Sequence, residues 1–156
     1  MGVSVQKDSV ERLIAKLTAA EIAVNNAIVD AFASVGDDVT TQIRDGRLSN
    51  WNDDTGSLRS SIGYVVARRG EIVRMSGFET VLQGADGSRK GKEKAAQLAS
   101  EYSMFDYILI IIAGEEYAVY VESVENKVVL SSGWLYIKKE LVNVMNAKIQ
   151  AALSNL

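Results

Sequence analysis

The chain has 156 residues, of which 47% are hydrophobic and 24% charged, and carries a net charge of −3. That fits one domain, suffices for a core without disulfide or metal, and excludes wholesale disorder. Cysteine, histidine and proline are all absent, which removes thiolate nucleophiles, disulfide frameworks, zinc–cysteine sites and histidine-based triads.

A helix is predicted over residues 8–45. Asp8 or Ser9 is placed to cap it, and Val10, Leu13, Ile14, Leu17, Val24, Ile28, Phe32, Val35, Val39 and Ile43 recur at helical steps. Gly36-Asp37-Asp38 leaves open a kink or a second helix, with one long element preferred. Such a helix spans roughly 50 Å, more than a compact domain of this size is wide, so part of it is expected to project or to pack on a neighbouring subunit. Residues 45–56 read as polar punctuation around Trp51, and Leu58 to Ile62 leads into a strand. Ile62–Arg68 and Glu71–Ser76 flank Arg69-Gly70 as a hairpin.

Residues 79–104 read as a mobile excursion. Gln83 to Lys94 is a polar, glycine-rich, basic loop, followed by a short helix over 94–102. Asp106 to Ala113 is apolar on both faces and reads as a central strand covered on both sides. Residues 117–122 fit strand or helix, and 127–130 a last short strand. Ser131 or Ser132 caps a final helix over 132–154. The fold class is α+β: a long N-terminal helix, a small, mainly antiparallel sheet, and a C-terminal helix packed on the sheet, all in a single domain over 1–156.

Three chemical readings are set aside. Gly87 is followed by three residues and then Gly91-Lys92-Glu93, one short of a phosphate-binding P-loop and with a carboxylate in place of the hydroxyl. Counting back from Gly56, an EF-hand loop would start on Trp51, which cannot ligate calcium. The pairs Glu115/Glu116 and Glu122/Glu125 bring no catalytic partners with them. No enzyme, metal or cofactor is therefore expected. The opening Met-Gly-Val-Ser-Val-Gln-Lys-Asp lacks a signal peptide's apolar run, and Tyr107–Ala113 is far below the roughly 20 apolar residues of a membrane span, so a soluble chain made in a cytoplasm is expected. Trp51 and Trp134 read as core or interface anchors, Trp51 having the stronger claim on a partner because its loop is polar.

Two segments carry a resemblance. Asp54-Thr55-Gly56-Ser57-Leu58-Arg59-Ser60-Ser61-Ile62 follows the long helix, and Tyr117-Ala118-Val119-Tyr120-Val121-Glu122 precedes the last one. This resembles the tail-completion, or head–tail joining, family of long-tailed bacteriophages (the minor tail component proteins). The chain departs from that pattern in having no proline before Asp54 and Ser123-Val124-Glu125-Asn126 after Glu122. The resemblance implies a virion protein of the neck or tail, made in the bacterial cytoplasm. It implies assembly as an oligomeric ring, six-fold in that family, against head-connector or tail-tube proteins.

Physical chemistry gives the matched residues jobs in such a ring. Gly56 makes the entry turn, Thr55 or Asp54 pins it, Leu58 and Ile62 enter the core, and Ser61 is counted with these among the candidate assembly residues. Arg59 stays at the surface, free to pair with a carboxylate on this or a neighbouring subunit, Tyr117 and Tyr120 bury their rings, and Glu122 is the candidate partner of an arginine. Trp51 and the basic residues Arg89, Lys90 and Lys92 are further candidates for assembly contacts. The rival reading is a small adaptor touching nucleic acid through Arg68, Arg69, Arg89, Lys90, Lys92 and Lys94, which the acidic balance disfavours.

Overall fold

In a computed structural model of the chain, the described residues are 7–116, 118, 122, 127 and 129–156. Helix α1 (Lys7–Arg44) is one unbroken element of 38 residues. It passes straight through Gly36, because that position needs the absence of a side chain: a Cβ there would stand 2.6 Å from the ring of Tyr64.

A one-turn helix, α2 (Ser57–Ser60), leads into strand β1 (Ile62–Arg68), which pairs with β2 (Glu71–Gly77). Arg69 and Gly70 take φ of 50° and 87°, the two left-handed residues of a type I′ hairpin, as the sequence signalled. Strand β3 (Ile108–Ala113) pairs antiparallel with β1 on its other side, so the order is β2-β1-β3. The expected central strand is therefore an edge strand. Its apolar run reflects covering on both faces: Leu109 and Ile111 turn to one core cluster, Ile110 and Ile112 to the other. Periodicity reports which faces are covered, and neighbours in the sheet are a separate matter.

The expected excursion over 79–104 is also corrected. Ala85–Glu101 forms helix α3, packed against α2 and the sheet. The segment is glycine-rich for closeness. Gly84, Gly87 and Gly91, followed by the buried Ala95 and Ala99, form one stripe of small residues along the helix. A Cβ on Gly87 would lie 2.1 Å from the carbonyl oxygen of Ser57, and one on Gly91 would lie 2.6 Å from that of Ser61. The helix backbone thus rides directly on the α2–β1 backbone.

Helix α4 (Ser131–Ser154) starts against the end of α1, where Gly133 meets Val39 and Ile43, and packs along it. Ile137, Leu141 and Val144 share one core cluster with Val35, Val39, Ile43, Leu58 and Ile62. Val129 is buried in the same cluster, and Val129 and Leu130 form a bend where a last short strand was expected. No helix among the described residues is long and apolar enough to cross a membrane.

The two long helices have unequal reach. α4 is about 36 Å long and α1 about 57 Å. Measured back from Ile43, α4 runs out near Ala19, and every residue from Lys7 to Ala19 is exposed. The expected projection of the long helix is present at this end.

Candidate functional site

The Asp53–Ser61 turn is the joint of the molecule. Gly56 sits at φ 77°, a left-handed conformation, and a Cβ there would stand 2.2 Å from the carbonyl oxygen of Val81. Both conditions demand glycine. Asp53 is the carboxylate of the former calcium candidate; it accepts the Arg59 N–H at 2.6 Å and so satisfies an orphan donor at the start of α2. Thr55 Oγ1 accepts the Ser57 N–H at 3.3 Å, and the Thr55 carbonyl accepts from Gln83 at 3.0 Å. Ser60 Oγ accepts the Val81 N–H at 2.9 Å, and Ser61 Oγ donates to the Leu58 carbonyl at 2.8 Å.

One buried charge locks this joint to α3. Glu115 is 5% exposed. Its carboxylate accepts from Ser57 Oγ and, at 3.0 Å, from Lys90 Nζ. The hydrogen bond to Glu115, joined by that to Asp86, holds the Lys90 ammonium above its ordinary pKa. Arg89 pairs with Asp86 at 2.6 Å and with Glu93 at 2.8 Å, and these two carboxylates likewise raise its pKa. Arg89 and Lys90 are therefore neutralised in place. Arg89 and Lys90 do not form the free cationic patch expected of an assembly or nucleic-acid contact, whereas Lys92 is exposed on α3. Glu115→Ala is expected to cost about 2 kcal/mol in urea denaturation, because Lys90 and Ser57 lose a buried acceptor. Lys90→Met should cost more alone than it does on top of Glu115→Ala, the signature of a coupled pair.

Of the two roles left open for the tryptophans, core or interface, Trp51 takes the core one. Trp51 is 8% exposed and packs with Leu58 and Ile43, while Trp134 is 62% exposed. The polar loop folds its one large ring inward, and Arg59 lies over that ring at 5.8 Å from its centroid. Trp51, Gly56, Leu58 and Ser61 are all buried, so they shape the joint and do not themselves meet a partner. Arg59 is exposed, as expected, beside a polar cleft of about 550 Å3 that also takes in Arg44, Asp37 and Glu79. Among the described residues no carboxylate pairs with the Arg59 guanidinium. Arg44 pairs with Glu79, and its pKa is lowered first by burial and then by the nearby charge of Arg59.

Among the described residues no arginine of the chain pairs with Glu122. Its carboxylate accepts the N–H groups of Leu130 at 3.3 Å and Ser131 at 3.1 Å, capping α4 from outside the helix. Neither Ser131 nor Ser132 caps the helix with its side chain; Leu130 holds the cap position, with no side-chain cap bond. Burial raises the Glu122 pKa, but the bonds from Ser131, Leu130 and Val129 outweigh it and hold the group below the ordinary glutamate value. A depressed carboxylate stabilises above its unfolded pKa and loses that contribution as the pH falls through its folded one. Glu122→Gln is accordingly expected to cost about 1 kcal/mol at pH 7, a cost that fades as the pH falls through the group's lowered folded value, as read from urea midpoints across the acid range. Tyr117 and Tyr120 lie outside the described residues.

The structure thus gathers Trp51, Thr55, Gly56, Leu58, Arg59 and Ser61 at one joint and links Lys90 to it through Glu115. Glu122 belongs to the start of α4. Residue chemistry marks Glu115 only as half of a carboxylate pair with Glu116; the sequence signal for its structural place is the adjoining Gly114, whose Cβ would fall 2.5 Å from Gly91 Cα and which marks close backbone packing there. Compared with family models, curated proteins and solved structures, the chain finds no match.

Proposed function

We propose that the chain is a phage or prophage structural protein of the neck or tail, which completes the tail or joins it to the head by forming an oligomeric ring. The observation that supports this best is the place of the Asp54–Ile62 segment. It is the keystone between a long helix, an antiparallel sheet and a closing helix, which is the order of parts that the resemblance implies. Residues that would be ornamental in a loop are here fixed by a left-handed glycine and by the buried Glu115 with its half-exposed partner Lys90. The joint does no chemistry on this reading. It holds the helices at a fixed angle, and assembly proceeds by surface complementarity in a closed ring of heterologous contacts.

The test is genetic. With the coding sequence deleted from the phage or prophage that carries it, electron microscopy should show heads and tails that fail to join, and the chain supplied in trans should restore joined particles. Joined, infectious particles without it would overturn the proposal.

A further inference from the structure

Helix α1 and the β1–β2 hairpin leave a polar cleft of about 380 Å3 between them. Asn25, Asn26 and Asp30 line it from the helix, Arg68 and Arg74 from the strands, and Tyr107 from the residue before β3. The strand register puts the two arginines on one face. Arg74 stands opposite Val66, and Arg68 lies two residues on from Val66, so both leave the sheet on the side of Val66 and Tyr64. That is the side α1 covers, since the Tyr64 ring lies against Gly36. Tyr64 and Val66 are buried there and already seal the sheet to the helix. The arginines lie beyond that seal, and both are exposed.

The donors of this cleft are largely without acceptors. Glu71 is the cross-strand neighbour of Arg68, yet no ion pair joins them. The Arg68 guanidinium lies instead over the Tyr107 ring, 5.5 Å from its centroid, which fixes its plane and leaves its N–H groups to give. Among the described residues the side chains of Arg68 and Asn26 have no hydrogen-bond partner. Arg74 gives one N–H to the Val73 carbonyl at 2.9 Å and stands 3.7 Å from Asp30, an ion pair without a hydrogen bond. Asn25 Oδ1 accepts the Tyr107 hydroxyl at 2.7 Å, so its amide N–H groups are also left to give. The lining therefore holds two positive charges against one negative, with donors on both walls. Like charges on one face of a hairpin repel, and an anion between them removes that repulsion. Donors that converge from a sheet and from a helix suit a tetrahedral oxyanion, which accepts from several directions, better than a planar carboxylate, which one guanidinium fork satisfies. The volume falls in the range of small-molecule sites and leaves room for an organic body beside the anion.

We propose that this cleft binds a phosphate group, as the free ion or as the monoester of a small molecule. Arg68 and Arg74 hold its oxygens from the sheet, Asn25 and Asn26 hold them from the helix, and Asp30 keeps Arg74 in place. The site is independent of the ring reading, which stands or falls by other measurements.

The test is calorimetric titration of the full chain at fixed ionic strength, with inorganic phosphate, glycerol phosphate and acetate in separate runs. Phosphate or its ester should saturate with a Kd on the order of 1 mM, and acetate should not. The tighter of the two identifies the source, a free ion or a small phosphorylated molecule. Arg68→Gln and Asn26→Asp should each weaken binding by about tenfold or more. Lys92→Gln, which removes an exposed cation on α3, should leave it unchanged. Both cleft variants alter exposed side chains, so they are expected to melt like the wild type without phosphate, and Arg74→Gln serves in place of either that does not. No saturation by phosphate or ester in the millimolar range would overturn the proposal. So would acetate binding as well as phosphate, or cleft variants that bind like the wild type. Binding seen only with duplex DNA, and lost as salt is raised, would mean a diffuse polyanion surface and would overturn it too.

Discussion

Gly87→Ala is expected to lower stability by about 3 kcal/mol, although alanine is the better helix former by about 1 kcal/mol. The reason lies in what the methyl would strike. Its nearest atoms are the carbonyl oxygen and carbon of Ser57, at 2.1 Å and 2.9 Å. These are backbone atoms of a one-turn helix that Asp53, Gly56 and Glu115 hold in place. No rotamer change relieves the clash; α3 must lift off the joint. Lifting it exposes Ala95, Phe78 and Ile112, which share a buried cluster. Lys92→Ala, one helical turn on and facing outward, should change stability by less than about 0.5 kcal/mol. Urea denaturation of the two variants decides the matter. A gain in stability for Gly87→Ala would mean a solvated segment that welcomes helix propensity, and would contradict the packed α3.

Trp51→Ala carries the other large effect, an expected loss of about 3–5 kcal/mol, against less than about 0.5 kcal/mol for Trp134→Ala. Trp51 fills the space between the end of α1 and Leu58, so its removal leaves a cavity under the joint. Its buried Nε1–H has no hydrogen-bond partner among the described residues. Trp51→Phe therefore removes an unsatisfied donor along with some volume, and should cost markedly less than Trp51→Ala. Trp134 has the reverse profile: it is 62% exposed, and its loss should leave the fold intact. Melting curves separate the two in one experiment. Equal stabilities would contradict the assignment of one tryptophan to the core and the other to the surface.

The same pair shows what was legible in the sequence. Apolar recurrence placed α1 within one residue of both ends, and Arg69-Gly70 placed the hairpin. These signals are local: side-chain period and left-handed turn residues act within a few positions. The errors arose where partners distant in sequence decide. Trp51 looks like a surface ring in its polar loop, and only the arrival of α1 behind it makes it core. Gln83–Lys94 has the composition of a loop, yet its glycines step by three and four along a helix face. That spacing, continued by Ala95 and Ala99, was the signal of a close-packed helix, and composition masked it. Glu122 follows a similar logic, since an acceptor nine residues from Ser131 caps α4 where the local serines do not.

On the proposed ring reading, this chain closes on itself through two different faces. The measurement that tests it most directly is the mass of the wild-type chain by light scattering after size exclusion, from low micromolar to several hundred micromolar. The account predicts a discrete multiple of 17.0 kDa that stops growing with concentration, as ring closure requires. A monomer throughout, or a mass that climbs without a plateau, would contradict it.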